Sequence, residues 1–383
     1  MKKVGMMLFS FIITGGLLAQ NKNEKVFARI DNLLKNELKK KNIFNAYLSF
    51  YSPSNNYEWH CAKGDFKNGA SVSLENPFYT ASIGKTFTAA AIGMLVDQGK
   101  VQFNDPISKH LPTEVIKGLH VFKGSDFTDS IKISHLLQHT SGIPDYFSQK
   151  AQDGTPSMYD LMLSEPNRSW TPEELISFSK THFKPAFEPG IGYNYTDTEY
   201  ILLGMIIEKI SGLELHEFFA KQIFDPLAMN HTFLNLKSEP KQSTDQMSEL
   251  YMGNLEIGAY LSLSADWAGG GIVSSGKDLI NFQVALFGGE LVSKDILNEM
   301  QLWTKESKGM YYGYGLRKIH LKELSPILPN WEVIGHSGSN GTSMYYCPDL
   351  DIYFTSTLNQ LESNKEAVML MIKILMQCQK LKS

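Results

Sequence analysis

Residues 78–91 read Phe78-Tyr79-Thr80-Ala81-Ser82-Ile83-Gly84-Lys85-Thr86-Phe87-Thr88-Ala89-Ala90-Ala91, an extended aromatic entry that runs into an apolar helix. Ser82 stands where the helix begins. A serine there satisfies free backbone N–H groups as an N-cap, which is the simplest reason for its presence. Lys85 supplies a second reason, because residues three apart share a helix face and its amine reaches the Ser82 hydroxyl to take or share its proton. A solvated lysine is protonated and useless as a base. Burial or a nearby cation must lower its pKa, and Phe78, Ile83 and Phe87 offer burial. The helix N-terminus adds positive potential and a backbone N–H where negative charge develops on an attacked carbonyl.

Outward from this stretch, the hydrophobic period changes in both directions. Val26, Ile30, Leu33, Leu34 and Leu38 follow helical spacing, and Phe44 to Tyr51 reads as a strand ended by Pro53 and Asn55-Asn56. At the far end, Trp331 to Ile334, Ser343 to Cys347 and Asp351 to Thr357 read as strands, and the apolar segment Ala367 to Met376 as a closing helix. Between them the pattern is mainly helical, over 86–98, 131–138, 172–179, 198–210 and 277–287. This predicts a sheet built from both chain ends with a helical lobe inserted, the sheet lobe spanning about 24–80 and 290–383 and the helical lobe about 81–289. A cleft between the two lobes is where a site is expected.

Lys2 and Lys3 precede an apolar run from Val4 to Ala19, the pattern of a secretory signal peptide. The run is short of the ~20 apolar residues of a spanning helix. Cleavage after Ala19 and export to the periplasm or the medium are expected, with no stable membrane span in the mature chain; an uncleaved N-terminal anchor is the alternative. The formal net charge of -4 becomes more negative once the leader is lost, and no dense basic cluster appears, which argues against nucleic acid as a partner. Cys61, Cys347 and Cys378 are odd in number and far apart, without the close Cys or His pairs of a zinc site, so neither metal nor cofactor is expected. Buried thiols are the simplest reading, and a Cys61 to Cys347 bridge stays open.

Two more elements carry chemistry. Residues 188–204 place a loop with Tyr193, Tyr195 and Asp197 before an apolar helix that Thr196 or Asp197 can cap. A tyrosine hydroxyl there can relay protons, and a polar side chain two residues on can hold substrate. Gly335-His336-Ser337-Gly338-Ser339 ends a strand, where small residues let a substrate lie along the strand edge; alone it is an ordinary glycine-rich turn with an exposed His.

In this order the three elements resemble the serine β-lactamase and penicillin-binding protein superfamily, in the branch of class C β-lactamases, D-Ala-D-Ala carboxypeptidases, esterases and D-aminopeptidases. Residues 136–144 and 268–275 look like further family segments, so the resemblance covers nearly the whole mature chain. It implies a β-lactamase-like α/β (α+β) fold, its antiparallel sheet flanked by terminal helices, forming one domain over 20–383. It implies Ser82 as the acylated nucleophile, Lys85 as its proton partner and Tyr195 as the relay to the leaving group, with Tyr193 and Tyr200 as packing or rim. His336, Ser337 and Gly338 take the place of the family's Lys-Thr-Gly or His-Thr-Gly strand motif. Backbone N–H groups of Ser82 and Ser339 would form the oxyanion hole. His139 and its neighbour His135 are expected to be structural rather than triad histidines. Gly338-Ser339-Asn340-Gly341 lacks the Gly-x-Ser-x-Gly spacing of an α/β-hydrolase.

The chain departs from the resemblance at two positions. Most relatives have Asn where this chain has Asp197, and an ionised carboxylate only accepts hydrogen bonds. Either Asp197 favours a substrate with a free amine or hydroxyl, or it pairs with Lys85, raises its pKa and leaves Tyr195 more important. His336 in place of lysine implies weaker, pH-dependent anchoring of a substrate carboxylate. The expected activity is therefore serine hydrolysis of small peptides, amides or esters of D-amino acids, cell-wall peptides included. The alternatives are a weak class C-like β-lactamase and a sensor that binds penicillin or muropeptide without turnover.

Overall fold

In the computed structural model, residues 23–381 are described apart from 152, 244 and 245. The expected leader and its cleavage point at Ala19 lie outside the described residues. β1 (Asn45–Ser52), buried along nearly its whole length, pairs with β2 (Tyr57–Gly64) as an antiparallel hairpin, with Asn45 opposite Gly64 and Ser52 opposite Tyr57. Six strands late in the chain complete the sheet: β3 (Thr304–Ser307), β4 (Met310–Tyr312), β5 (Arg317–His320), β6 (Glu332–Ser337), β7 (Ser343–Cys347) and β8 (Ile352–Thr357). Their order is β3-β4-β5-β6-β7-β8-β1-β2, every neighbour antiparallel. The last strand thus closes on the first, with Tyr47 opposite Thr357.

Both faces of this sheet are covered. Helix α1 (residues 23–37) places Val26, Ile30 and Leu34 in one core with Phe50 and Phe354. The closing helix, here α5 (Asn364–Cys378), adds Leu370, Ile374 and Leu375 to it. Burying each such side chain contributes about 1.5–3 kcal/mol. The opposite face meets a larger core built from α2 (Gly84–Asp97), α3 (Asp197–Ser211) and α4 (Gly276–Gly288). Helix α2 lies at the centre of this core, with Phe87 stacked on Phe282 of α4 at 3.8 Å between ring centroids. Thr196 caps α3, accepting from the Thr198 N–H at 3.1 Å, so Asp197 is free for other work.

The strand expected over 331–334 runs on to Ser337 and carries His336 inside the sheet. Strands β2 to β5 escape the sequence pattern because Glu58, His60 and Lys63 in β2, and Lys305, Glu306 and Lys318 further on, interrupt the apolar alternation. Cys61, Cys347 and Cys378 are free and buried, so the open Cys61 to Cys347 bridge is absent.

Candidate active site

Phe78 and Tyr79 pair with Ser274 and Val273, and the Thr80 N–H donates to Ile272 O at 3.0 Å, which fixes the chain up to the nucleophile position. Ala81 then adopts φ +47°, a left-handed conformation that costs an alanine of order 1 kcal/mol or more. Asn340 Nδ2 and Thr342 Oγ1 both donate to Tyr79 O, at 2.6 and 3.2 Å, and hold this turn against the sheet. The turn delivers Ser82 into one turn of 3-10 helix, Ala81–Ile83, directly before α2. Ile83 occupies the N-cap of α2 without a side-chain cap, so capping does not explain Ser82.

Lys85 is 0% exposed. Its Nζ donates to Ser82 Oγ at 3.4 Å, to Gly269 O at 3.1 Å and to Asp197 Oδ1 at 2.5 Å. A Cβ on Gly269 would lie 2.8 Å from Asp197 Oδ1 and 3.6 Å from Nζ, so only glycine leaves room for the pair. Burial pulls the Lys85 pKa down as the sequence suggests. The Asp197 carboxylate and the Tyr195 hydroxyl outweigh it, and the net displacement is upward. Lys85 is therefore an ammonium at rest, which corrects the expectation of a depressed lysine. Of the two roles the sequence leaves open to Asp197, the geometry realises the pairing with Lys85.

The Tyr195 ring lies 5.0 Å from Lys85 Nζ, and Ser82 acts on its hydroxyl as a hydrogen-bonding neighbour. Burial raises the Tyr195 pKa, opposed by Lys85 and by Arg317. Beneath it, the His139 ring packs at 4.3 Å from Tyr195 and 4.5 Å from Tyr312. His139 Nδ1 is 2.5 Å from Glu199 Oε2, and Ser141 Oγ donates to Glu199 Oε1 at 2.5 Å. Burial pushes the His139 pKa well down and the Glu199 pKa well up, so both are neutral and support the tyrosine from below. Tyr200 is fully buried and donates to Leu137 O at 3.0 Å, a packing role. His135 accepts from the Lys132 N–H at 3.3 Å on a separate surface.

Strand β6 runs past the end of β5, whose last partner is Gly335, so residues 336–339 present an edge that β5 does not cover. Gly338 allows the close approach to the nucleophile turn, since a Cβ there would lie 2.5 Å from Thr80 O. Ser339 is exposed and, with Ser82 and Asp197, lines a cleft of about 700 Å³, its open mouth included. Ser337 is buried and accepts from Arg317 at 3.4 Å, while Arg317 grips Glu306 with two bonds of 2.6 and 2.7 Å. His336 departs from its expected role. It is 0% exposed, its Nε2 is 2.9 Å from Tyr312 Oη and its Nδ1 accepts from the Ser337 N–H at 3.0 Å. Burial, then Arg317 and Lys85, push its pKa well below the usual histidine value. A buried, neutral His336 cannot anchor a substrate carboxylate.

Residues 31–375 match the family described as Beta-lactamase. The chain belongs to the Beta-lactamase family. A putative penicillin-binding protein, PbpX of Bacillus subtilis (strain 168), is 29% identical over 226 residues, 58% of this chain and 49% of that protein. A putative D-alanyl-D-alanine carboxypeptidase of Escherichia coli (strain K12) is 26% identical over 322 residues, covering 74% of this chain and 70% of the relative. The solved D-stereospecific amidohydrolase of Streptomyces sp. superimposes with TM-score 0.72 at 26% identity, over 89% of this chain and 97% of its own. The chain spans about half the length of the Bacillus relative.

Against this Beta-lactamase family background, sequence reasoning missed Arg317, Glu306, Tyr312 and Asp266. The first three sit on β3 to β5, which read as irregular, so nothing pointed them at the site. Asp266 lies two residues before the family-like segment 268–275, and its neighbourhood to Lys85 and Asp197 appears only in three dimensions.

Proposed function

We propose that the protein is an exported serine hydrolase that forms an acyl-enzyme on Ser82 with small peptides, amides or esters of D-amino acids. The observation that carries this reading is the chain of contacts from Ser82 Oγ in the cleft to Lys85 Nζ at 3.4 Å and on to Asp197 Oδ1 at 2.5 Å. Ser82 Oγ attacks the carbonyl carbon while its proton passes to Lys85. Because Lys85 is an ammonium at rest, it accepts that proton only as one of its own moves to the Asp197 carboxylate. The backbone N–H groups of Ser82 and Ser339 take the developing oxyanion. The bond from the carbonyl carbon to the amine or alcohol breaks, and Tyr195 passes a proton to the leaving group, its phenol recharged by Lys85. Water then attacks the ester on Ser82 by the reverse route, freeing the acid and restoring the serine.

A D-amino-acid substrate is favoured by the activities for which the Streptomyces amidohydrolase and the Escherichia relative are named. A weak β-lactamase would share every step. A sensor would stop at the acyl-enzyme. D-phenylalaninamide is therefore offered to the purified protein and ammonia is counted. Many turnovers, lost in Ser82→Ala, are expected; one equivalent released in a burst and nothing after it contradicts hydrolysis and supports the sensor.

A further inference from the structure

The cleft beside Ser82 holds two carboxylates, and only one of them has a partner. Asp197 accepts from Lys85. Asp266 lines the same cleft, and its carboxyl has no hydrogen-bond donor among the described residues. It precedes the short helix Trp267–Gly270 without capping it through its side chain. The two hydroxyls near enough to feel its charge, on Tyr79 and Tyr146, donate elsewhere, to Gly258 O and Ala265 O. Asp266 is part-buried in the cleft wall, so its carboxylate is only partly hydrated and has no donor among the described residues to replace the water it has lost. Burial and the Asp197 charge accordingly push the Asp266 pKa up to about 7. Besides Ser82, Ser339 and Asn340, the wall is mainly apolar, with Phe147, Tyr159, Met162, Leu163, Tyr260 and Leu263 among its members.

We propose that this cleft binds the acyl part of a substrate that carries a protonated primary amine and a bulky, preferably aromatic, side chain, with Asp266 holding the amine. The inference rests on the Ser82 acyl-enzyme reading and names the acyl donor that it leaves open. An ammonium supplies the hydrogen-bond donors that Asp266 lacks and a charge of the sign that two carboxylates attract. A carboxylate at this place would be repelled by both. The apolar wall takes the side chain. Asp197, already committed to Lys85, is not the amine anchor, which moves that role from the residue the sequence singled out to one it did not.

The test separates this pocket from the hydrolase reading. D-phenylalaninol carries both the ammonium and the ring, and N-acetyl-D-phenylalaninol carries the ring alone. Calorimetry on Ser82→Ala, which binds without reacting, is expected to show the free amine bound at least about tenfold more tightly, the low end for a hydrogen bond to a charged group. Asp266→Asn in that background removes the preference. Equal affinity for the two ligands, or a preference that survives Asp266→Asn, overturns the inference whether or not Ser82 proves catalytic. In the wild type, the ratio of kcat/KM for D-phenylalaninamide over its N-acetyl derivative is expected to favour the free amine by a similar factor, and to fall by that factor in Asp266→Asn. If neither amide is turned over but D-phenylalaninol still binds through Asp266, the hydrolase reading fails and the pocket stands.

Discussion

Replacing Asp197 by Asn isolates the buried Lys85 charge, and its consequence for stability has a distinctive pH dependence. The pair is well enclosed, with Lys85 0% and Asp197 18% exposed in their side chains. Removing one partner of such a pair leaves an uncompensated buried ion and costs about 3–5 kcal/mol, the lower figure applying here because Asp197 touches solvent. In the wild type the folded Lys85 pKa lies above its unfolded value of about 10.4, so folded and unfolded chains both carry the proton at neutral pH. Its contribution is then constant with pH and is lost only as pH rises above about 10. In the variant burial is the leading influence, and the folded pKa drops below the unfolded one. The unfolded chain then binds more protons, so stability rises with pH by up to about 1.4 kcal/mol per unit. Urea unfolding of both proteins between about pH 6 and 10 measures this difference directly. Asp197→Asn is expected to be about 3 kcal/mol less stable at pH 7 and to converge on the wild type as pH rises. A deficit under about 1 kcal/mol, or one that does not shrink with pH, refutes the claim that Asp197 fixes the Lys85 charge.

Two further outcomes follow from the same electrostatics. His336 stays neutral, so kcat/KM between about pH 5.5 and 8 should be unchanged in shape when Asn replaces it, whereas His336→Lys buries an unpaired ammonium and should lower stability by several kcal/mol, read from unfolding curves. Asp266 has a folded pKa of about 7, above its unfolded value, in the field of Asp197 and Lys85 with Tyr79 and Tyr146 beside it. The folded state therefore binds the extra proton, and stability declines as pH rises from about 4 to 7. Asp266→Asn should remove that decline and be the more stable protein at pH 8, and an equal or lower stability there would show that the carboxylate is satisfied in the free protein.

The elements legible in the sequence were those with a clean apolar pattern. Residues 343–347 are a short, mainly apolar run bounded by turn residues and form β7 as expected, and the apolar segment expected over 367–376 lies within α5. The strands lost were those whose exposed faces carry charge at short range, such as Thr304–Ser307 and Arg317–His320. The Ser82, Lys85, Tyr195 and Asp197 cluster was legible through the family resemblance, whose motifs place these residues beside two helix starts. The state of Lys85 was legible only as one of two alternatives. Apolar neighbours in sequence predict a depressed pKa, and the opposing carboxylate arrives from a residue over a hundred positions away, through a gap that Gly269 keeps open. His336 reads as exposed because glycine and serine surround it, and it is buried because β6 extends through it into the middle of the sheet.

Hydrolysis by this route requires a covalent bond at Ser82. Intact-mass analysis followed by peptide mapping, after brief exposure to D-phenylalanine p-nitrophenyl ester and to a panel of β-lactams, reads that bond directly. A single acyl adduct is expected on the peptide containing Ser82, absent from Ser82→Ala and accumulating when Tyr195→Phe slows its hydrolysis. Full turnover of the ester without an adduct in either protein, or an adduct that persists in Ser82→Ala, would contradict the mechanism.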